Sequence, residues 1–227
     1  MTKFKVFAHR GASGYATDNE TEAFELAIQQ GAPIIETDVQ MTTDGVMVLQ
    51  HDWVVEGRFV AAMTLAELTE VRPGLLTVAA ALRSFGARIP FCWEVKASGF
   101  EPTLVALVRD LVPTDLWQQT EFSSFLPTSA YLCQKHAPHN NAGWLTRDYD
   151  ESAINAVQTA GLSQFCPPAP AIMEQPALVK VAQAKGLQVR AWQVDDPVWV
   201  SELAAVGVYG ATVNWPDKAL EVLKRTG

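Results

Sequence analysis

The sequence has little of what would tie it to a membrane, a nucleic acid or an oxidising compartment. Its 227 residues include 3 cysteines, Cys92, Cys133 and Cys166, widely spaced and without a CxxC pair. So sparse and odd a set argues against a disulfide framework or a zinc knuckle and fits a reducing compartment. No apolar run approaches the roughly 20 residues that a bilayer-spanning helix needs. The opening "MTKFKVFAHR" is broken by His9-Arg10 before it reaches signal-peptide length, so the cytoplasm is the expected location and no stable membrane insertion is expected. Positive charge is scarce as well. With 17 Lys and Arg against 25 Asp and Glu, the formal net charge is −8. Non-specific nucleic-acid binding depends on basic surface and is not expected here. An anionic ligand must therefore be drawn in by a local cluster of cations. A glycine-rich dinucleotide fingerprint is missing too, since "HRGASG" (9–14) does not match it.

What is present is a rhythm. "KVFA" (5–8) predicts a strand, and "NETEAFELAIQQG" (19–31) a helix closed by Gly31. "PIIETDV" (33–39) is a second strand, on which "VMVLQ" (46–50) folds back through the turn signal Asp44-Gly45. After two helical segments, "IPFCWEV" (89–95) is the next strand. "EPTLVALVRDLV" (101–112) places Leu104, Val105, Leu107, Val108 and Leu111 at helical spacing, with Pro102 near the start. The alternation continues through "WQQTEFS", "NAGWL", "QFC", "QVRAWQV" and "GATVN", each followed by an amphipathic stretch. Eight strand–helix units without a linker predict one α/β unit over residues 1–227, a closed (β/α)₈ TIM barrel. An open doubly wound sheet is the structural alternative.

Chemistry in such a barrel collects at the C-terminal ends of the strands. His9 and Arg10, Glu36 and Asp38, His51 and Asp52, Glu94 and Lys96, Trp192 and Asp195, and Asn214 all fall there. Residues two apart on a strand share a face, so Glu36 points with Asp38 and Glu94 with Lys96. Three carboxylates from two strands then converge, and acids that close force one another's protonation unless a cation neutralises them. A hard divalent ion suits such oxygen ligands: Mg²⁺ or Ca²⁺, with Mn²⁺ as a further candidate. Each pair alone is explained by solvent or an ion pair; the ordered set at successive strand ends is what points to a metal. His136 and His139 in "QKHAPHNN" read as a surface loop, and Ser13 and Ser123 lack a histidine partner in sequence.

The order "HRGASG" (9–14), "IETDVQMTTDG" (35–45), "HD" (51–52) and "WEVK" (93–96) closely resembles the glycerophosphodiester phosphodiesterase family. "AFELAIQQGAP", "SSF", "AWQVDD" and "GVYGATVNWPDKALEVL" extend the likeness over essentially the whole chain. The resemblance implies metal-dependent hydrolysis of glycerophosphodiesters, small deacylated lipid headgroups, to sn-glycerol 3-phosphate and an alcohol. It implies Glu36, Asp38 and Glu94 as metal ligands, His9 and His51 as general acid and base, Arg10 and Lys96 on the phosphoryl oxygens, and Trp192 beside the glycerol. Sphingomyelinase D-type lyases share the His-Arg, Glu-x-Asp, His portion, but they are disulfide-bonded secreted proteins. A binding protein on an inactivated barrel is the other rival, and the intact set of histidines and acids argues against it. Three departures stand out: "TDNE" (17–20) where the family has Pro-Glu-Asn-Thr, the short "WVVEGRFVAAM" (53–63) after His51, and Asn214 where aspartate is frequent.

Overall fold

The structure, a computed structural model, describes residues 4–226. Its strands are β1 (Lys5–His9), β2 (Ile34–Met41), β3 (Met47–Leu49), β4 (Val54–Val55), β5 (Arg58–Phe59), β6 (Phe91–Val95), β7 (Glu121–Ser124), β8 (Asn141–Leu145), β9 (Gln164–Cys166), β10 (Gln188–Val194) and β11 (Gly210–Val213). Eight of them run parallel in the order β1-β11-β10-β9-β8-β7-β6-β2, and β2 pairs back with β1 to close the ring. The (β/α)₈ barrel expected from the alternation is the observed fold. Its strands are largely buried, whether their side chains are apolar or polar: β6 (FCWEV) is buried at every position, as strands wrapped by helices must be.

The helices form the outer layer, and local chemistry sets their ends. Thr77 caps Val78–Phe85 by accepting from the Ala80 amide at 3.1 Å. Asp150 does the same for Glu151–Thr159, from Ala153 at 2.8 Å, and Thr64 with Glu67 forms a capping box on Leu65–Val71. Helix Glu101–Leu111 buries Leu104, Val105 and Val108 against the barrel, as its spacing requires. The first helix departs from expectation. It runs over Thr21–Gln29 and starts two residues later than the amphipathic pattern suggests, because Asn19 sits in left-handed backbone (φ 60°) and Glu20 at the N-cap makes no capping bond.

The expected antiparallel return is present: β3 pairs with β2 through Val39↔Leu49 and Met41↔Met47, across a turn in which Gly45 takes φ 79°. "WVVEGRFVAAM" folds into a small separate hairpin, β4 with β5, whose tip Glu56-Gly57 has positive φ at both residues. That turn leaves Trp53 and Phe59 more than half exposed beside the barrel mouth. At the opposite end the barrel is plugged by polar groups. Glu121 accepts from Lys5 at 2.8 Å, Tyr209 at 2.7 Å and Gln164 at 2.7 Å. No helix among the described residues is long and apolar enough to cross a membrane.

Candidate active site

Strand register carries the acids into one layer. His9 pairs with Glu36 across β1 and β2, and Asp38 with Glu94 across β2 and β6. After His9 the chain turns through left-handed backbone at Arg10 (φ 52°) and Gly11 (φ 85°). A Cβ at Gly11 would lie 2.6 Å from the Ala23 carbonyl, so only glycine lets this loop close on the first helix. The turn brings the Arg10 amide to the Glu36 carbonyl at 2.7 Å and swings its guanidinium over β2.

Glu36, Asp38 and Glu94 are all buried, and each offers an oxygen within 4.8 Å of the others. Arg10 Nε stands 3.0 Å from Asp38 Oδ2, and Lys96 Nζ stands 3.0 Å from Asp38 Oδ1 and 2.5 Å from Glu94 Oε1. These are contacts between charges without hydrogen-bond alignment, and Asp38 Oδ1 and Glu94 Oε1 keep no hydrogen-bond partner. Asp38 Oδ2 accepts from Asn19 Nδ2 at 2.9 Å, while Thr37 Oγ1 donates to Asn19 Oδ1 at 2.7 Å. Burial, helped by the Asp38 charge, pushes the carboxyls of Glu36 and Glu94 up to about 7. Burial acts on Asp38 in the same direction, but Lys96 and Arg10 outweigh it and hold Asp38 below its ordinary range. Three buried carboxylates within one ion's reach, two of them with an oxygen that no hydrogen bond satisfies, fit a hard divalent cation.

Both histidines are oriented through Nδ1. His9 Nδ1 meets Asn214 Oδ1 at 2.6 Å, an oxygen that also accepts from Ser13 at 3.2 Å. An amide oxygen only accepts, so the His9 proton sits on Nδ1 and Nε2 keeps its lone pair, 4.0 Å from Glu36 Oε2. Burial and the Arg10 charge pull His9 down to about 4. His51 Nδ1 pairs with Asp52 Oδ1 at 2.8 Å. The His51 loop is pinned by Gln40 Nε2, which donates to the carbonyls of Gln50 at 2.8 Å and Asp52 at 2.9 Å.

A cleft of about 330 Å³ opens above this layer, with His9, Arg10, Glu36, His51, Glu94 and Lys96 on its walls. Trp192 completes it. A register shift between Ala191 and Val194, with Gln193 at φ 57°, turns that strand end, and the indole N–H donates to the Cys166 carbonyl at 3.0 Å. The eight residues assigned roles by resemblance thus lie together: seven line the cleft directly, and Asp38 lies buried between Arg10 and Lys96. His136 and His139 belong to no metal-competent cluster among the described residues. The three cysteines are buried and free.

A protein-family model for the glycerophosphoryl diester phosphodiesterase family matches residues 9–218. The chain belongs to that family. It is accordingly an enzyme, a phosphodiesterase of glycerophosphodiesters. The chain is 27% identical over 248 residues to a glycerophosphodiester phosphodiesterase of Caldanaerobacter subterraneus subsp. tengcongensis, covering 99% of this chain and 100% of the relative. Among solved structures it is similar to a glycerophosphodiester phosphodiesterase of Agrobacterium tumefaciens, with TM-score 0.81, 26% identity, and 96% and 100% of the two chains covered. A phosphodiesterase of Oleispira antarctica, solved with the product sn-glycerol-3-phosphate, shares the fold at TM-score 0.86 and 22% identity, with 97% and 96% covered.

Some cleft residues of the phosphodiesterase receive no role from the sequence. Arg147 follows the end of β8 and Phe125 the end of β7, so both obey the strand-end rule that locates the rest. Arg190 lies on the cleft floor, fully buried, over the Phe7 ring at 4.9 Å and donating to Thr212 at 3.1 Å. A lone arginine inside an apolar strand carries no spacing signal. Of the departures, Asp18 still accepts from Arg10 at 2.9 Å, and Glu20 turns away to Arg72 at 3.6 Å.

Proposed function

We propose that the enzyme splits glycerophosphodiesters into sn-glycerol 3-phosphate and an alcohol, with a divalent cation held by Glu36, Asp38 and Glu94 and proton transfer by His9 and His51. The observation that carries this reading is the buried acid triad, with oxygens within 4.8 Å of one another and two oriented imidazoles on the same cleft. When bound, the cation supplies Lewis-acid stabilisation of the charge that develops on the phosphoryl oxygens. Arg10 and Lys96 are the cations of the chain at that point, and they offset the ligand's negative charge in an otherwise acidic molecule.

Each histidine presents Nε2, because Nδ1 is engaged by Asn214 or Asp52. One Nε2 takes a proton from the attacking hydroxyl, and the other, protonated, delivers one to the departing alkoxide. Such transfers contribute about 10²–10⁴-fold each. The Trp192 lobe is the more deeply walled part of the cleft and suits the glycerol that every substrate of this class shares.

The test is release of glycerol 3-phosphate from a panel of glycerophosphodiesters, with Mg²⁺, Ca²⁺ or Mn²⁺ and with chelator. Activity confined to the metal-loaded protein supports the reading, and full turnover in chelator defeats it. Phosphorus NMR showing a cyclic phosphate as the end product would assign the lyase chemistry instead.

A further inference from the structure

The cleft has a second lobe, of about 420 Å³, that shares His51, Glu94, Lys96, Phe125 and Arg147 with the first but is walled on its far side by Trp53 and Leu126 rather than by Trp192. A phosphodiester has two alcohol arms on one phosphorus. Two lobes meeting at the acid and histidine layer match that shape, and the inner one suits the glycerol. The outer, more open lobe is left for the arm that varies between substrates.

One charged side chain in the shared wall has no role in the chemistry above. Arg147 is exposed and makes no ion pair or side-chain hydrogen bond to any described residue, and its guanidinium lies 5.6 Å from the centre of the Trp192 ring. Trp192 is itself braced edge-on against Phe125 at 5.3 Å and tied through its N–H to Cys166. The neighbouring turn is set by the Asp148 amide donating to Thr146 Oγ1 at 3.0 Å. The platform is thus held while the head of Arg147 stays free. Besides Glu36 and Glu94, two further acids face the cleft. Asp52 is engaged by His51 at 2.8 Å, and Asp195 lines the inner lobe and not the outer one. Lys96 is held at the acid layer by Asp38 and Glu94, where the phosphoryl group itself is bound.

We propose that Arg147 is a specificity-determining residue that selects glycerophosphodiesters whose leaving alcohol carries its own oxyanion, a carboxylate or a second phosphate. This rests on the diesterase reading above. A guanidinium presents paired donors that match such oxyanions, and it repels a quaternary ammonium at the same place.

The experiment compares kcat/KM for bis(glycerophospho)glycerol, glycerophosphoserine, glycerophosphoglycerol and glycerophosphocholine, whose leaving arms carry phosphate, carboxylate plus amine, no charge and a cation. The wild type is expected to favour the phosphate arm over the neutral arm by about fivefold, the scale of one partly exposed ion pair, and less so at high salt. Arg147→Gln should bring that ratio to near one, and Arg147→Glu should move it in favour of the choline compound. Arg83→Gln removes an equal charge from an exposed helix turn outside the cleft and should leave the ratio in place. Calorimetric binding of the same compounds to chelated protein, where turnover is not required, reads the same preference. Hydrolysis of none of the four defeats the diesterase reading, whereas the binding ratio still decides the role of Arg147. An equal wild-type ratio, or one that Arg147→Gln does not change, overturns the proposal.

Discussion

Asn19 holds two parts of the site at once: its side chain donates to Asp38 Oδ2 at 2.9 Å, and its own amide donates to the Arg10 carbonyl at 3.0 Å. It does so from φ 60°, a conformation that asparagine tolerates better than most residues. Asn19→Ala is expected to lower metal affinity or turnover by about 10–100-fold, the usual cost of removing a partner that orients a ligand. Calorimetric titration of the cation alongside thermal unfolding checks it. Lost stability with unchanged cation affinity would confine Asn19 to the fold.

Cation binding should strengthen with pH. Glu36 and Glu94 are pushed from an ordinary 4.5 up to about 7 by burial and by Asp38, so below neutrality an ion must displace their protons. Titrations at pH 6 and pH 8 are expected to give the weaker affinity, and the larger proton release, at pH 6. Linkage has the matching sign in chelated protein. The folded state binds these protons more tightly than the unfolded chain, so their contribution to stability is lost as pH rises from 4.5 to about 7.

Asn214→Asp should move the pH profile. Burial and Arg10 hold His9 down near 4, and a carboxylate 2.6 Å from Nδ1 in place of the amide oxygen favours the imidazolium. The expected result is an acid limb of kcat/KM displaced to higher pH, with Gln at 214 leaving the limb near its original place. Identical limbs in the Asp variant and the parent would separate His9 from the limiting proton transfer.

Glu121 tests the other end of the barrel. It accepts from Lys5, Tyr209 and Gln164, and Gln164 is wholly buried. Glu121→Ala leaves these donors without their acceptor and should cost about 3 kcal/mol in denaturant unfolding. Cation affinity at 20 °C should stay put, because the plug lies at the barrel end opposite the cleft.

Much of this was legible in the sequence, for reasons visible in particular residues. The acids were readable because Glu36 and Asp38 lie two apart on one strand, and the in-register pair Asp38↔Glu94 then brings in the third. The barrel was readable because strand-like segments such as "PIIETDV" and "IPFCWEV" alternate with amphipathic ones eight times. The start of the first helix was not, because the side chain of Asn19 is committed to Asp38 and the helical pattern does not record that. Nor was the Glu56-Gly57 hairpin, a two-residue turn whose first position is an uncommon left-handed glutamate. Arg147 and Arg190 depend on which strands become neighbours in three dimensions, and residue type at one position does not report it.

Strand β1 is stitched on one side to β2 and on the other to β11, by pairs such as Ala8↔Val213. The amide that orients His9 therefore arrives 205 residues after it. A chain emerging from the ribosome carries every acid and both imidazoles long before it carries Asn214. Its first stave has no partner on that flank until residues 210–213 exist, so the ring closes, and His9 meets Asn214, only after nearly all of the barrel has been made.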